Sequence, residues 1–271
     1  MQTLIQKIYD KGSWAQNEDE LLIKDNLFGV FDGATSIVKF TNDEGKTWAK
    51  VAAEICRDIF SNNNKSLEQL TIEANQAIWD EMNKYKIDVT KKEGFRGSAI
   101  ATIRLLGNEA EFLTIGDCLI LAILKDGTHK LLAPLDDHDL ESMRMWKALA
   151  DKKIKDIKNE LKSQILKVRK WSNIEYGVLN WETDAVKFLE IWKINLENVK
   201  SLILFTDGLF IPKKNPDDKE NWDLFVQLYQ ESGLDGILHH VRSLEESDPN
   251  CWEYPRFKQY DDIAAIGIDF V

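Results

Sequence analysis

Four aspartates stand where apolar, strand-like runs give way to a turn or to the chain's close. They are Asp32 in LFGVFDGATS, Asp117 in FLTIGDCL, Asp207 in LILFTDGLF and Asp261 in YDDIAAIGIDFV. The repetition predicts one carboxylate cluster gathered from distant parts of the chain. Carboxylates brought that close repel one another and take up protons unless cations neutralise them, and oxygen-ligated divalent ions are the usual answer. The pattern therefore predicts a metal enzyme. Taken singly, each aspartate has a simpler reading, because Asp-Gly is a common turn pair and Asp caps helices well.

The elements that must position these residues are legible in part. Between residues 95 and 133, SAIATIRLL and EAEFLTIGD flank Gly107-Asn108, and LILAIL and THKLLA flank Lys125-Asp126-Gly127. This predicts an antiparallel meander with tight turns. Further strands are expected at 27–31, 201–206 and 263–270. Helical spacing places Trp48, Val51, Ala52, Ile55, Ile59 and Phe60 on one face, then Leu67, Leu70, Ala74, Ile78, Met82 and Tyr85 on another. Two consecutive helices of that kind could cover one sheet face. From about 139 to 170 an apolar stripe of Ile154, Ile157, Leu161, Ile165 and Val168 is surrounded by lysines. It reads as a solvated helix packed on a sheet or as a docking surface for an acidic partner. A third helical stretch is expected around 221–244. Strictly alternating βαβ units are absent, so the order of elements predicts an α+β fold with antiparallel sheets buried by helices.

At 271 residues and a formal net charge of -11, the chain can bury a substantial core, and its acidity disfavours a broad nucleic-acid or anionic-membrane surface. MQTLIQKIYDKGSW lacks the apolar core of a signal peptide, and no run approaches the roughly 20 apolar residues of a spanning helix. A soluble cytoplasmic protein is the expectation. Cys56, Cys118 and Cys251 fit neither a disulfide framework nor a zinc ligand set and read as reduced thiols.

The ordered set of motifs says more than any one of them. NED at 17–19, a strand ending in FDGATS, a helical pair, GSAIATI, TIGDC, LFTDGLF and DDIAAIGI follow one another along nearly the whole chain. This set resembles the metal-dependent protein serine/threonine phosphatases of type 2C, the PPM family, in a divergent, bacterial-like form. The resemblance implies one domain over 1–271, a four-layer α-β-β-α sandwich of two antiparallel sheets flanked by helices. It also implies a flap-like insertion at about 134–200 that shapes substrate entry. Two Mn²⁺ or Mg²⁺ ions would be held by Asp32, the Gly33 carbonyl, Asp207 and Asp261, and Asp32, Asp207 and Asp261 are then the catalytic set. Glu18 and Asp19 would hold waters of those ions, and Asp117 with Asp207 would bind a third, weaker ion. Asp262 stands where many relatives carry Asn or Asp, behind the ligands. The implied reaction is phosphate-monoester hydrolysis by a metal-activated water. Its implied substrate is phosphoserine or phosphothreonine on protein; the alternatives are a small phosphate ester at the same dinuclear site, or a regulatory binding module with little turnover.

Two positions depart from the family pattern. Ala34 stands where many eukaryotic relatives carry a proton-donating histidine, and His129, His138, His239 and His240 all fall in segments read as surface turns or helices. Trp14 stands where many relatives carry a phosphate-binding arginine, with Lys11 and Arg96 as possible substitutes. Trp146, Trp171, Trp181 and Trp192 in the divergent stretch read as core packing rather than as a stacking platform.

Overall fold

Apolar runs long enough to be buried on both faces build the centre of this protein. The computed structural model describes residues 2–34, 40–90, 97–135 and 137–271. One five-stranded sheet has the order β1 (Thr3–Asp10), β10 (Ile263–Phe270), β9 (Val199–Phe205), β6 (Leu119–Leu124) and β7 (His129–Leu131). The other has the order β2 (Glu20–Lys24), β3 (Leu27–Gly33), β4 (Ser98–Leu106), β5 (Glu109–Ile115) and β8 (Glu190–Asn195). Neighbouring strands are antiparallel throughout both sheets.

Side-chain alternation divides the burial into layers. Phe28, Val30, Ala101 and Ile103 of one sheet meet Ile120, Leu202, Leu204, Ile266 and Ile268 of the other. The opposite side chains of β3 and its neighbours, Leu27, Phe31, Ile100 and Leu113, pack under α1 (Trp48–Ser61) and α2 (Leu67–Lys84) through Trp48, Cys56, Phe60, Leu70, Ile78 and Met82. On the far side, Leu119, Leu121, Ile203 and Phe205 pack under α6 (Trp222–Ser247) through Phe225, Ile237 and Val241. The result is an α-β-β-α sandwich. Both covering helices of the first face start on side-chain caps: Thr47 accepts from the Lys50 amide, and Ser66 with Gln69 forms a capping box.

The meander expected over 95–133 is two hairpins in different sheets. β4–β5 belongs to one and β6–β7 to the other, and the chain crosses between them at Gly116-Asp117-Cys118. Gly116 makes the crossing at φ 80°, a conformation that costs glycine least. Three strands escaped the sequence reading: β1, β2 and β8. β1, β2 and β8 all lie at sheet edges. Edge strands keep polar or exposed residues, so their periodicity is weak; Trp192 on β8 is 60% exposed.

Residues 139–170 fold as three pieces, α3 (Leu140–Ala150), α4 (Ile157–Glu160) and α5 (Lys162–Lys170), rather than one helix. They carry a small core of their own, Trp146, Ala150, Ile157 and Leu161, closed by Cys251. Trp146 Nε1 donates to the Cys251 carbonyl at 2.7 Å, and Trp252 Nε1 donates to the Ile154 carbonyl at 3.0 Å. Of the four tryptophans in the divergent stretch, Trp146 is buried and Trp181 packs partly on the main core, while Trp171 and Trp192 are exposed. All three cysteines are free and buried. Among the described residues no helix is long and apolar enough to cross a membrane.

Candidate active site

The acidic residues arrive at one end of the sandwich because the strands that carry them stop or start there. Asp32 and Gly33 are the last two residues of β3, and Asp117 sits in the crossing after β5. Asp207 follows β9, and Asp261 and Asp262 precede β10; the register pairing Phe205 with Ala265 brings these two strand ends together. Asp32 thus stands at a strand end as expected, whereas Asp261 leads into a strand rather than closing one. Glu18 and Asp19 come from the segment entering β2.

Glu18, Asp32, Gly33, Asp117, Asp207 and Asp261 all line one cavity of about 810 Å³. Asp19 and Asp262 are buried beside it, each 2% exposed, and the Asp19 charge acts on Asp32. Gly33 is where β3, the Glu18 segment and the first turn of α1 meet. A Cβ there would lie 2.4 Å from the Glu18 carbonyl oxygen and 2.5 Å from that of Ala49, so only glycine fits.

Hydrogen bonds fix the acids that stand behind. Thr206 Oγ1 donates to Asp19 Oδ2 at 2.8 Å, and Thr47 Oγ1 donates to Glu18 Oε1 at 2.7 Å. Asp262 accepts from the Gly12 amide at 2.8 Å and the Glu18 amide at 2.9 Å, clasping the segment before β2 to the start of β10. Asp262→Ala strands two amide donors, one of them buried, and should cost about 2–5 kcal/mol in urea unfolding. A loss under about 0.5 kcal/mol would show that the clasp contributes little to the folded state.

Electrostatics follow from the crowding. Burial pushes the Asp32 carboxyl well up, and the charges of Asp19, Asp117 and Asp261 add to it. Asp207 is raised well up by burial and then by Asp32, Asp261 and Asp117; it also shares a hydrogen bond with Asp32. Asp19 is raised well up by burial, against the lowering effect of the Thr206 hydroxyl. Lys258, which the sequence reading passed over, is the counter-charge. Its ammonium pairs with Asp261 Oδ1. Burial alone would lower its pKa, but Asp261, Asp32 and Asp207 together raise it.

A site where crowded acids raise the proton affinity of Asp19, Asp32 and Asp207 suits hard divalent ions. The donors are carboxylate and backbone oxygens. Among the described residues no three His, Cys, Asp or Glu side chains are already arranged as a closed ligand set for one ion. The fit therefore rests on donor chemistry and charge.

Of the other residues weighed for the site, Trp14 lines the cavity and is 41% exposed. Lys11 is exposed and does not line it, and Arg96 lies outside the described residues. His138 is not at the surface as its sequence context suggests. Its side chain is 9% exposed, its ring stacks on Tyr176 with centroids 3.9 Å apart, and it lines the cavity wall. Nothing in the local sequence announces this, because the covering ring comes from 38 positions away by number, from residue 176 to residue 138.

The family model for protein phosphatase 2C matches residues 10–237. No curated protein sequence matches. Among solved structures, the Mycobacterium tuberculosis serine/threonine phosphatase PstP is similar with a TM-score of 0.60 at 15% identity, covering 99% of this chain and 98% of that one. A structure of the PstP catalytic domain with two manganese ions gives a TM-score of 0.59 at 14% identity, covering 98% and 97%. Serine-threonine phosphatase 2C from Toxoplasma gondii gives 0.59 at 13% identity, covering 98% and 94%. The fold is shared over essentially the full length of each. With a family match over most of its residues and the sandwich that goes with it, this chain belongs to the protein phosphatase 2C family.

Proposed function

We propose that this protein hydrolyses phosphate monoesters with two bound divalent ions, Mn²⁺ or Mg²⁺, and that its substrate is phosphoserine or phosphothreonine on protein. The observation that carries the reading is the convergence of Asp32, Asp207 and Asp261 on one cavity, with raised proton affinity at Asp32 and Asp207. Those three side chains and the Gly33 carbonyl would hold the ions. When bound, the ions would activate a water for in-line attack and neutralise charge on the phosphoryl group. Glu18, held by Thr47, and Asp19, held by Thr206, would orient water at the ions' edges. Asp117 and Asp207 would take a third, weaker ion. Asp262 acts through the backbone it clasps.

Ala34 lines the cavity with a methyl group and can donate no proton there, so substrates with good leaving groups should be turned over fastest. A second reading, a small phosphate ester as substrate, draws on the flap residues that line the cavity and on Trp14 at its edge. A pure binding module has no use for the complete acid set.

The test is hydrolysis of a chromogenic aryl phosphate. Activity should require added Mn²⁺ or Mg²⁺ and disappear with EDTA, and a panel of phosphopeptides and phosphometabolites then separates the two substrate classes. Activity undiminished by chelator would end the metal-dependent reading.

A further inference from the structure

The cavity has more acids than a phosphate dianion can approach unaided, so its cations matter. Lys258 is committed to Asp261. Lys158, from α4 in the flap, is differently placed. It lines the same cavity, keeps part of its surface open to solvent, and among the described residues no carboxylate lies within ion-pair distance of it. Its Nζ instead sits 5.6 Å from the centroid of the Trp14 ring, the range in which an indole face attracts an ammonium. Partial burial lowers its pKa first, followed by the like charges of Lys258 and Arg169, while Asp261 and Glu18 pull the other way. Four cations, Lys158, Lys162, Arg169 and Lys258, thus line the cavity, and Lys158 is the one seated on the Trp14 ring with Asp261 acting on it.

We propose that Lys158, braced on the Trp14 indole, binds the non-transferring oxygens of the substrate's phosphoryl group. The inference rests on the phosphatase reading above and adds the residue that holds the phosphate. Trp14 then has a positive role. It offers no charge, but it provides a flat seat that fixes where an ammonium from across the cavity comes to rest. An ammonium is a point charge, so it can hold a phosphate oxygen without the planar match a guanidinium demands. Because the anchor sits on the flap rather than on the sheets, the placement of the flap sets phosphate affinity.

The experiment uses the full chain loaded with Mn²⁺. Inorganic phosphate is titrated calorimetrically, and aryl phosphate kinetics are measured in parallel. Lys158→Ala should weaken phosphate binding and raise KM by on the order of tenfold, the size expected for one charge-assisted contact, with kcat changed less than about twofold. Lys158→Arg should recover most of the binding. Trp14→Leu should weaken binding about threefold with Lys158 present and add nothing in the Lys158→Ala background, since the ring acts through the lysine. Phosphate binding within about twofold of wild type in Lys158→Ala overturns the inference, as does an equal Trp14→Leu loss in both backgrounds. Wild-type protein that binds phosphate through Lys158 yet hydrolyses no phosphoester would sink the phosphatase reading and keep the anion site, so the two failures are distinguishable.

Discussion

Asp32→Asn and Asp207→Asn should each lower kcat by more than about 100-fold under saturating Mn²⁺, since even groups one step behind a metal ligand are worth 10–100-fold. Asparagine keeps the shape of the side chain and loses the charge, so packing should survive. The metal-free variants should melt above the metal-free wild type. Each removes a carboxylate from a group whose members already raise one another's proton affinity. The combination is diagnostic: activity lost, apo stability gained. A variant that keeps most of its kcat would show that the carboxylate does not hold an ion needed for turnover. One that melts lower would show the residue to be structural.

The second large effect is on stability. Ions that bind only the native state at about 100 times their Kd add about 2.7 kcal/mol, or roughly 5–10 °C of Tm at about 2–4 °C per kcal/mol for a chain of this size. The gain should depend on pH in a definite direction. Asp19, Asp32 and Asp207 have carboxyls raised in the folded state. Their contribution to apo stability is therefore complete below the unfolded value of about 3.9 and is lost as pH rises through the raised folded values. Metal-free Tm should fall as pH is raised above about 4, and the Mn²⁺-induced gain should grow over the same interval. Melting curves at pH 5.5 and 7.5, each with and without Mn²⁺, measure the difference. An equal gain at both would mean that ions and protons do not compete for these carboxylates.

The site was more legible than its surroundings. Asp32, Gly33, Asp117, Asp207 and Asp261 stand in short motifs where an apolar strand meets a polar residue, and such motifs are local. β3, β4, β5, β9 and β10 were readable because they are buried on both faces or alternate cleanly. What escaped depends on partners distant in sequence. Edge strands β1, β2 and β8 need only one buried face and one neighbour. The break between β5 and β6 is a change of sheet, which hairpin signals cannot show. Lys258 and Lys158 look like two surface lysines among many until α4 and the segment before β10 meet at the cavity. His138 reads as a turn residue until Tyr176 covers it.

The position of β10 has a kinetic consequence. It lies between β1 and β9, pairing Thr3 with Phe270 on one side and Phe205 with Ala265 on the other. Contacts closed over so long a loop form slowly, because the entropy of closure precedes any reward. Asp261 and Asp262 travel with that strand, and the Asp262 clasp on Gly12 and Glu18 cannot close before it docks. In refolding, compaction and helix formation should therefore run ahead of ion affinity, which should appear only as β10 docks.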